Sequence, residues 1–345
     1  MTKNRLVPIV YPFVLLLLVF IVWQFRKPKE VFFDGITMGV IHYTIKYQHP
    51  KGTNFQYEID SLLYHWNLSM STYIPDSEIS RFNRDSCFVF ESSYFLPVLE
   101  SSRWINEVSD GAFDPTVGPL VDAWGFGPDK PRELPDSASV LQILENVGFH
   151  KINFDQERVC KERHGIRIDF SAIAKGYAVD VVADYLTAQG IENMMVEIGG
   201  EVVCKGKNVK GNLWRIGIED PSKEFYEERD FTAIASVSDR AVATSGNYRN
   251  FKMIDGRLLV HTIDPTTGFP AFRDILSASV FAPDCMTADG FATAFMVLGA
   301  EKAIEISENI SEIDVFLIYT GKDGEILTYT SEGIVPFIEI QNVEN

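Results

Sequence analysis

The chain has 345 residues, of which 46% are hydrophobic and 23% charged, the balance of a globular protein with a sizeable core. Asp and Glu number 48 against 31 Lys and Arg, a formal net charge of −17, which argues against nucleic-acid binding through a basic face. An anionic small ligand is still compatible with this charge, because a metal ion or a helix N-terminus can hold one locally.

The first predicted element is the run LVPIVYPFVLLLLVFIVWQF, which starts at Leu6 and carries one Gln and no charge. About 20 such residues suffice to span a bilayer as a helix. Lys3 and Arg5 precede the run, and Arg26, Lys27 and Lys29 follow it, so the basic flanks leave its orientation open. No small-residue cleavage pattern follows, and no cysteine stands near its end to take a lipid. The expectation is an uncleaved anchor over residues 1–30 and one further domain over residues 31–345.

Beyond the anchor, GITMGVIHYTIKY alternates apolar and polar residues and predicts a strand. Ile59, Leu62, Leu63 and Trp66 have helical spacing. DSEISRF predicts a short capped helical turn. YFLPVLESSRWINEVSDG predicts a helix kinked near Pro97 and stopped by Gly111. IRIDF predicts a short buried strand leading into a helix from near Ser171 to Gly190. MMVEIGGEVVCKG, LWRIGIED, TAIASVSDRAVATSG and RLLVHTI predict further strands, and MTADGFATAFMVLGAEKAIEISE one or two helices. DVFLIYTGKDGEILTYT predicts a hairpin turning at Lys322, Asp323 and Gly324. Strands and helices mix without a clear linker, so the expected fold is one compact α/β unit with mixed sheets. Cys87, Cys160, Cys204 and Cys285 form no C-x-x-C pair. A small buried residue is the default reading for each, with a disulfide open if the domain lies outside the cytoplasm.

Five stretches carry residues suited to chemistry. In IDFSAIAKG, a strand-to-helix junction directs backbone N–H groups and the positive helix end at whatever lies there, and Lys175 adds a cation; taken alone, these residues favour a plain capped helix with small residues for close packing. In MTADGFATAFMVLG, Asp289 and Thr293 are spaced i, i+4 on one helix face among small alanines. With a nearby main-chain carbonyl they make a hard-oxygen set that suits Mg²⁺ or Ca²⁺ and not zinc; the alternative is that Asp289 caps its helix. AFDPTVGPLVDAWGF combines a turn with aromatics, either for a planar ligand or for loop packing. Thr244-Ser245-Gly246 reads as a hydrogen-bonding turn, since no S-x-x-K or G-x-S-x-G motif accompanies it. HTIDPTTGFP places His261, one of six histidines, at a strand end before a rigid turn.

TMG at Thr37, STYIPDSEISRFN, GAFDPTVGPLVDAWGF, IDFSAIAKGYAVD, EIGGEV, AVATSGNYRN, HTIDPTTGFP and TADGFATAFMVLG occur in an order that resembles the ApbE family, the FAD:protein FMN transferases. The resemblance runs from about Thr37 to the hairpin after Asp314. It implies Mg²⁺-assisted transfer of the FMN half of FAD to a threonine or serine hydroxyl of an acceptor flavoprotein, with AMP leaving. It implies acceptors like the subunits of sodium-pumping quinone reductases and related membrane electron-transfer complexes. Carried over by position, Met38, Tyr73, Ala112, Phe113, Asp114, Asp169, Lys175 and Thr262 match FAD contacts. Ala172, through its main-chain oxygen, and Asp289 and Thr293 match the metal ligands. His261 matches the histidine that activates the acceptor hydroxyl, a role that suits an imidazole whose ordinary pKa is about 6.5. Ser171 stands where glycine is frequent in the family, and Asn247 where aspartate is.

Two other functions use the same residues: Mg²⁺-dependent hydrolysis of FAD to FMN and AMP, and flavin binding by a membrane-tethered carrier without catalysis. The resemblance further implies a bacterial inner-membrane protein crossing once, with its catalytic domain on the periplasmic side. Members of the family that are exported lipoproteins differ from this chain, whose anchor is a helix.

Overall fold

The alternation that predicts one strand at 35–47 folds as two. β1 (Lys29–Thr37) and β2 (Ile41–His49) pair antiparallel from Lys29↔His49 to Thr37↔Ile41. Met38 and Gly39 reverse the chain at φ 48° and 83°, in the left-handed region that glycine enters freely and methionine does not. The computed structural model describes residues 28–127, 133–221, 231–246, 251–254 and 257–341. The apolar run predicted as an anchor lies outside the described residues, as does Asn247. No helix among the described residues is long and apolar enough to cross a membrane.

After the hairpin come α1 (Gln56–Met70), α2 (Glu78–Arg84), β3 (Cys87–Val89), α3 (Phe95–Val108), α4 (Gly118–Ala123) and α5 (Ser137–Leu144). β4 (Ile152–Phe154), β5 (Arg158–Lys161), α6 (Ala174–Ala188), β6 (Met194–Ile198), β7 (Glu201–Lys205) and β8 (Trp214–Glu219) follow. Next are β9 (Phe231–Val237), β10 (Arg240–Gly246), β11 (Phe251–Ile254), β12 (Arg257–Val260) and β13 (Ile275–Ala282). The chain closes with α7 (Cys285–Leu298), α8 (Ala300–Asn309), β14 (Asp314–Thr320), β15 (Ile326–Thr330) and β16 (Ile338–Ile340).

An eight-stranded sheet in the order β1-β2-β6-β7-β10-β13-β14-β15 organises the molecule. Every neighbouring pair in it is antiparallel. Its central strands are buried on both faces, and the two-residue period of a strand sorts their side chains. Ala241, Ala243, Val280, Val315 and Leu317 join the larger core, which includes Phe291 and Phe295 of α7 and Val179 and Val182 of α6. The alternate residues Val242, Phe281, Phe316 and Ile318 face a second core. Trp214, Ile218, Ala233 and Ala235, from the small sheet β16-β9-β8, close that second core. The expected compact α/β unit is therefore a helical layer, a central sheet and a partial third layer of strands.

Local chemistry accounts for where the elements depart from expectation. IRIDF is extended, but only Arg167 bridges another segment, pairing parallel with Val117. Ile168 instead exchanges two hydrogen bonds with the Asn83 side-chain amide, at 2.7 and 2.9 Å. The Asp169 N–H donates to Pro115 O at 2.7 Å. Asp169 Oδ1 then accepts the Ser171 N–H at 2.7 Å, and this side-chain turn delays α6 to Ala174. Pro97 falls in the first turn of α3, where its missing N–H costs no helical bond, so the predicted kink has no cause. Thr244, Ser245 and Gly246 are the last residues of β10 and not a turn.

The cysteines also divide differently from their default reading. Cys204 and Cys285 are buried free thiols. Cys87 and Cys160 stand opposite each other on β3 and β5 and form a disulfide.

Candidate active site

One cavity of about 480 Å³ opens where the strand ends of the central sheet meet the starts of α6 and α7. Ala112, Phe113, Asp114, Asp169, Ala172, Lys175, His261, Thr262, Asp289 and Thr293 all line it, although the sequence separates them by nearly two hundred positions. Met38 and Tyr73 do not line it. Met38 sits in the β1–β2 turn with its side chain against the larger core. Tyr73 stands 71% exposed, within electrostatic reach of Asp169.

The wall formed by α6 and α7 depends on one glycine. Gly176 N donates to Asp289 Oδ2 at 2.9 Å. A Cβ on Gly176 would fall 2.2 Å from Cys285 O and 2.8 Å from Asp289 Cβ, so the helices approach as closely as backbones permit. Asp180 of α6 fixes the start of α7 by accepting the N–H groups of Cys285 at 2.8 Å and Met286 at 2.7 Å. Asp289 is buried one turn further on. The reading of Asp289 as a helix cap fails, because Asp284 is the N-cap residue, with its side chain accepting the Thr287 N–H.

Thr293 Oγ1 lies 3.5 Å from the Ala172 carbonyl oxygen and 3.4 Å from Ser245 Oγ. Asp289 holds Gly176 with one carboxylate oxygen, which leaves the other for a cation. Asp289, Thr293 and Ala172 line the same cavity, and their carboxylate, hydroxyl and carbonyl are hard oxygen donors, a set that fits magnesium. The set offers one carboxylate, one hydroxyl and one carbonyl and neither imidazole nor thiolate, so it does not resemble a transition-metal centre.

Acidic groups dominate the lining. Among the described residues, Asp114, Asp169, Glu201, Glu219 and Asp289 line the cavity together with Lys175. Burial works against the Lys175 ammonium, but Glu201 and Asp289 outweigh it and hold the lysine protonated beyond its ordinary range. Lys175 Nζ pairs with Glu201 Oε1. Glu201 sits directly after the β6–β7 turn, where Gly199 and Gly200 have φ of 65° and 106°, values for which glycine is the natural residue.

Asp114 has a different part from its neighbours. Its carboxylate accepts the Thr116 N–H at 2.8 Å, the Thr116 hydroxyl at 2.6 Å and the Phe149 N–H at 2.8 Å. Burial pushes its carboxyl up, while those bonds favour the charged form. These inward bonds make the side chain an organiser of the loop, so a ligand would meet this turn mainly through its backbone.

His261 follows β12, and its ring meets Phe126 edge-on at 6.5 Å. The turn after it is internally bonded, as the DPTTG pattern predicts. Asp264 Oδ1 accepts from Thr266 N at 2.9 Å and Thr266 Oγ1 at 2.6 Å. Trp124 Nε1 donates to Gly268 O at 2.8 Å. The histidine backbone is thereby tied to the aromatic loop on the same side of the cavity.

Some lining residues were not singled out from the sequence. Gly217, Ile218 and Glu219 of β8 line the cavity. Glu201 carried one available signal, a carboxylate after a double glycine in EIGGEV; β8 carried none, because its place depends on how the small sheet stacks.

The ApbE family profile matches residues 38–317. A Vibrio cholerae protein named FAD:protein FMN transferase is 42% identical over 322 residues, covering 91% of this chain and 94% of its own. A Haemophilus influenzae protein of the same name is 37% identical, with 89% and 91% covered. Among solved structures, the flavin transferase ApbE from Vibrio cholerae superposes with a TM-score of 0.80 at 41% identity, covering 90% of this chain and 99% of its own. The Pseudomonas stutzeri flavinyl transferase ApbE in its apo form gives 0.78 at 32% identity, with 90% and 97% covered. On this match of profile, sequence and fold, the chain belongs to the ApbE family.

Proposed function

We propose that this protein is a magnesium-dependent FAD:protein FMN transferase that moves FMN from FAD to a threonine or serine hydroxyl of an acceptor flavoprotein and releases AMP. The observation that carries the reading is the convergence of Lys175, the Asp289–Thr293–Ala172 oxygen set and His261 on one cavity. The names of the relatives support the donor and the group transferred.

Lys175 places a positive charge where the pyrophosphate of FAD would lie, in a cavity whose other charged lining among the described residues is acidic. Asp289, Thr293 and the Ala172 carbonyl would hold magnesium, which when bound offsets charge on phosphate oxygens. His261 takes the proton from the acceptor hydroxyl. The hydroxyl oxygen forms a bond to the FMN phosphorus as the bond from that phosphorus to the bridging oxygen breaks. AMP carries the bridging oxygen away. The backbone of the Ala112–Asp114 turn and of Thr262 contributes contacts to FAD, and Met38 and Tyr73 contribute from outside the cavity.

The acceptor belongs with membrane electron-transfer complexes of the sodium-pumping quinone reductase type. The apolar run before residue 30 anchors the domain to the bacterial inner membrane, with residues 31–345 on the periplasmic side. The Cys87–Cys160 disulfide supports that side, since such bonds persist in oxidising compartments.

The test is to incubate the protein with FAD, Mg²⁺ and a candidate acceptor. Flavin fluorescence on the denatured acceptor, together with stoichiometric AMP, is the expected result. AMP and free FMN without labelled acceptor would mean hydrolysis, and FAD bound but uncleaved would mean a carrier.

A further inference from the structure

Glu201 is a buried carboxylate whose position the proposed chemistry leaves unexplained. Its Oε1 accepts from Lys175 Nζ, and its Oε2 is buried with no hydrogen-bond partner. Burying an acid beside a second buried acid, Asp289, is costly unless the charges are balanced. The cluster of Lys175, Glu201 and Asp289 holds one cation against two carboxylates. Lys175 lies within electrostatic reach of both, yet its ammonium contacts Glu201, while Asp289 takes the Gly176 N–H.

We propose that Glu201 is a positioning residue that holds Lys175 away from Asp289, so that the Asp289 carboxylate stays open to a divalent cation. A lysine and a divalent cation compete for the same carboxylate. Lys175 is adjacent on the chain to Gly176, which binds Asp289 directly, and lies within electrostatic reach of that carboxylate. Glu201 removes it from the competition by offering a second carboxylate. The double glycine before Glu201 makes this placement feasible: Gly199 has φ 65°, and a Cβ there would meet Ile41 Cγ2 at 2.8 Å. Glu201 also adds a carboxylate beside the cation site, which acts in the same direction on cation affinity.

This inference rests on the Asp289–Thr293–Ala172 cation site. Its test is Mn²⁺ binding to the full-length protein without FAD, read by the loss of the free Mn²⁺ paramagnetic signal. E201Q keeps the shape and loses the charge, and should weaken Mn²⁺ about tenfold. K175M/E201Q removes competitor and clamp together, and should bring affinity back to within about threefold of wild type. A residue that only supports packing would not be rescued by losing its lysine. E201Q within twofold of wild type, or a double variant as weak as E201Q, overturns the proposal. D289A separates the underlying reading: if it retains Mn²⁺ binding, the cation site itself is misplaced and the inference falls with it.

Discussion

Gly176 and Asp289 face each other across the contact of α6 and α7, joined by a 2.9 Å hydrogen bond from the glycine N–H to the carboxylate. The glycine has no room for a methyl group, since its Cβ would stand 2.2 Å from Cys285 O. Gly176→Ala must therefore push α7 outward and carry Asp289 with it. The expected outcome is a folded protein destabilised by about 1–3 kcal/mol, the usual range for overpacking. Divalent-cation affinity should fall more than tenfold. Calorimetric Mn²⁺ titration beside a denaturant melt checks both, and an unchanged cation affinity would show that Asp289 does not depend on this contact.

Asp289→Ala tests the cation site by its chemistry. Asp289 brings the one carboxylate in the set it forms with Thr293 Oγ1 and the Ala172 carbonyl. Its loss should abolish Mg²⁺-dependent transfer while circular dichroism stays that of the wild type. Activity within about threefold of wild type corresponds to a barrier change below ~1 kcal/mol and would rule the assignment out.

The Cys87–Cys160 disulfide closes a loop with a sequence separation of 73 residues. It joins β3 to β5, beside the Asn83–Ile168 bonds that lead to Asp169. In the chain-entropy description a loop of that length contributes about 4 kcal/mol, and measured values run at about 2–4. Cys87→Ser with Cys160→Ser should lower stability in urea by that amount. Dithiothreitol should destabilise the wild type and leave the double variant unmoved. Equal stability with and without reductant would mean that the bond contributes nothing.

Tyr43 predicts an alkaline limit. Its hydroxyl donates to Asp60 Oδ1 at 2.5 Å. Burial, with the Asp60 bond adding to it, pushes the phenol up to about 12. A raised acid pKa means that the folded state keeps its proton when the unfolded chain has lost it. That contribution is whole below pH ~10 and is lost as pH climbs through about 12. Tyr43→Phe should make the fall in stability between those values shallower. Urea midpoints measured at several alkaline pH values decide it, and parallel curves for the two proteins would contradict it.

What could be read from the chain follows how local each signal is. The i, i+4 pair Asp289 and Thr293 and the rigid turn after His261 depend on neighbours a few residues away, and each appears where expected; α3 ends at Val108, with Asp110 already left-handed before the expected stop at Gly111. The β1–β2 turn was hidden because a methionine occupies a left-handed position that pattern reading assigns to glycine or asparagine. The delayed start of α6 comes from the Asp169 side chain capturing Ser171 N. Glu201 and Glu219 reach the cavity only once β7 and β8 are placed in two different sheets. Periodicity marks those strands as buried but does not say which strand ends meet.

His261 is the residue on which the reading of group transfer turns. It lines the cavity from the end of β12, with its ring against Phe126 and its following turn tied to Trp124. Thr262, beside it, gives its carbonyl to Ala271 N at 2.9 Å and is itself buried. If His261 takes the acceptor's proton, His261→Ala should slow single-turnover transfer by about 10²–10⁴-fold, the usual worth of a positioned base. FAD affinity should stay within a few-fold, since the ring serves the incoming hydroxyl. Thr262→Ala should leave the transfer step nearly unchanged, because its backbone contact survives the substitution. Titrating FAD and measuring transfer at saturation on the same preparations separates binding from chemistry. A large loss of FAD affinity in His261→Ala, with an unchanged rate at saturation, would make this histidine a binding residue and leave the proton acceptor to another group in the cavity.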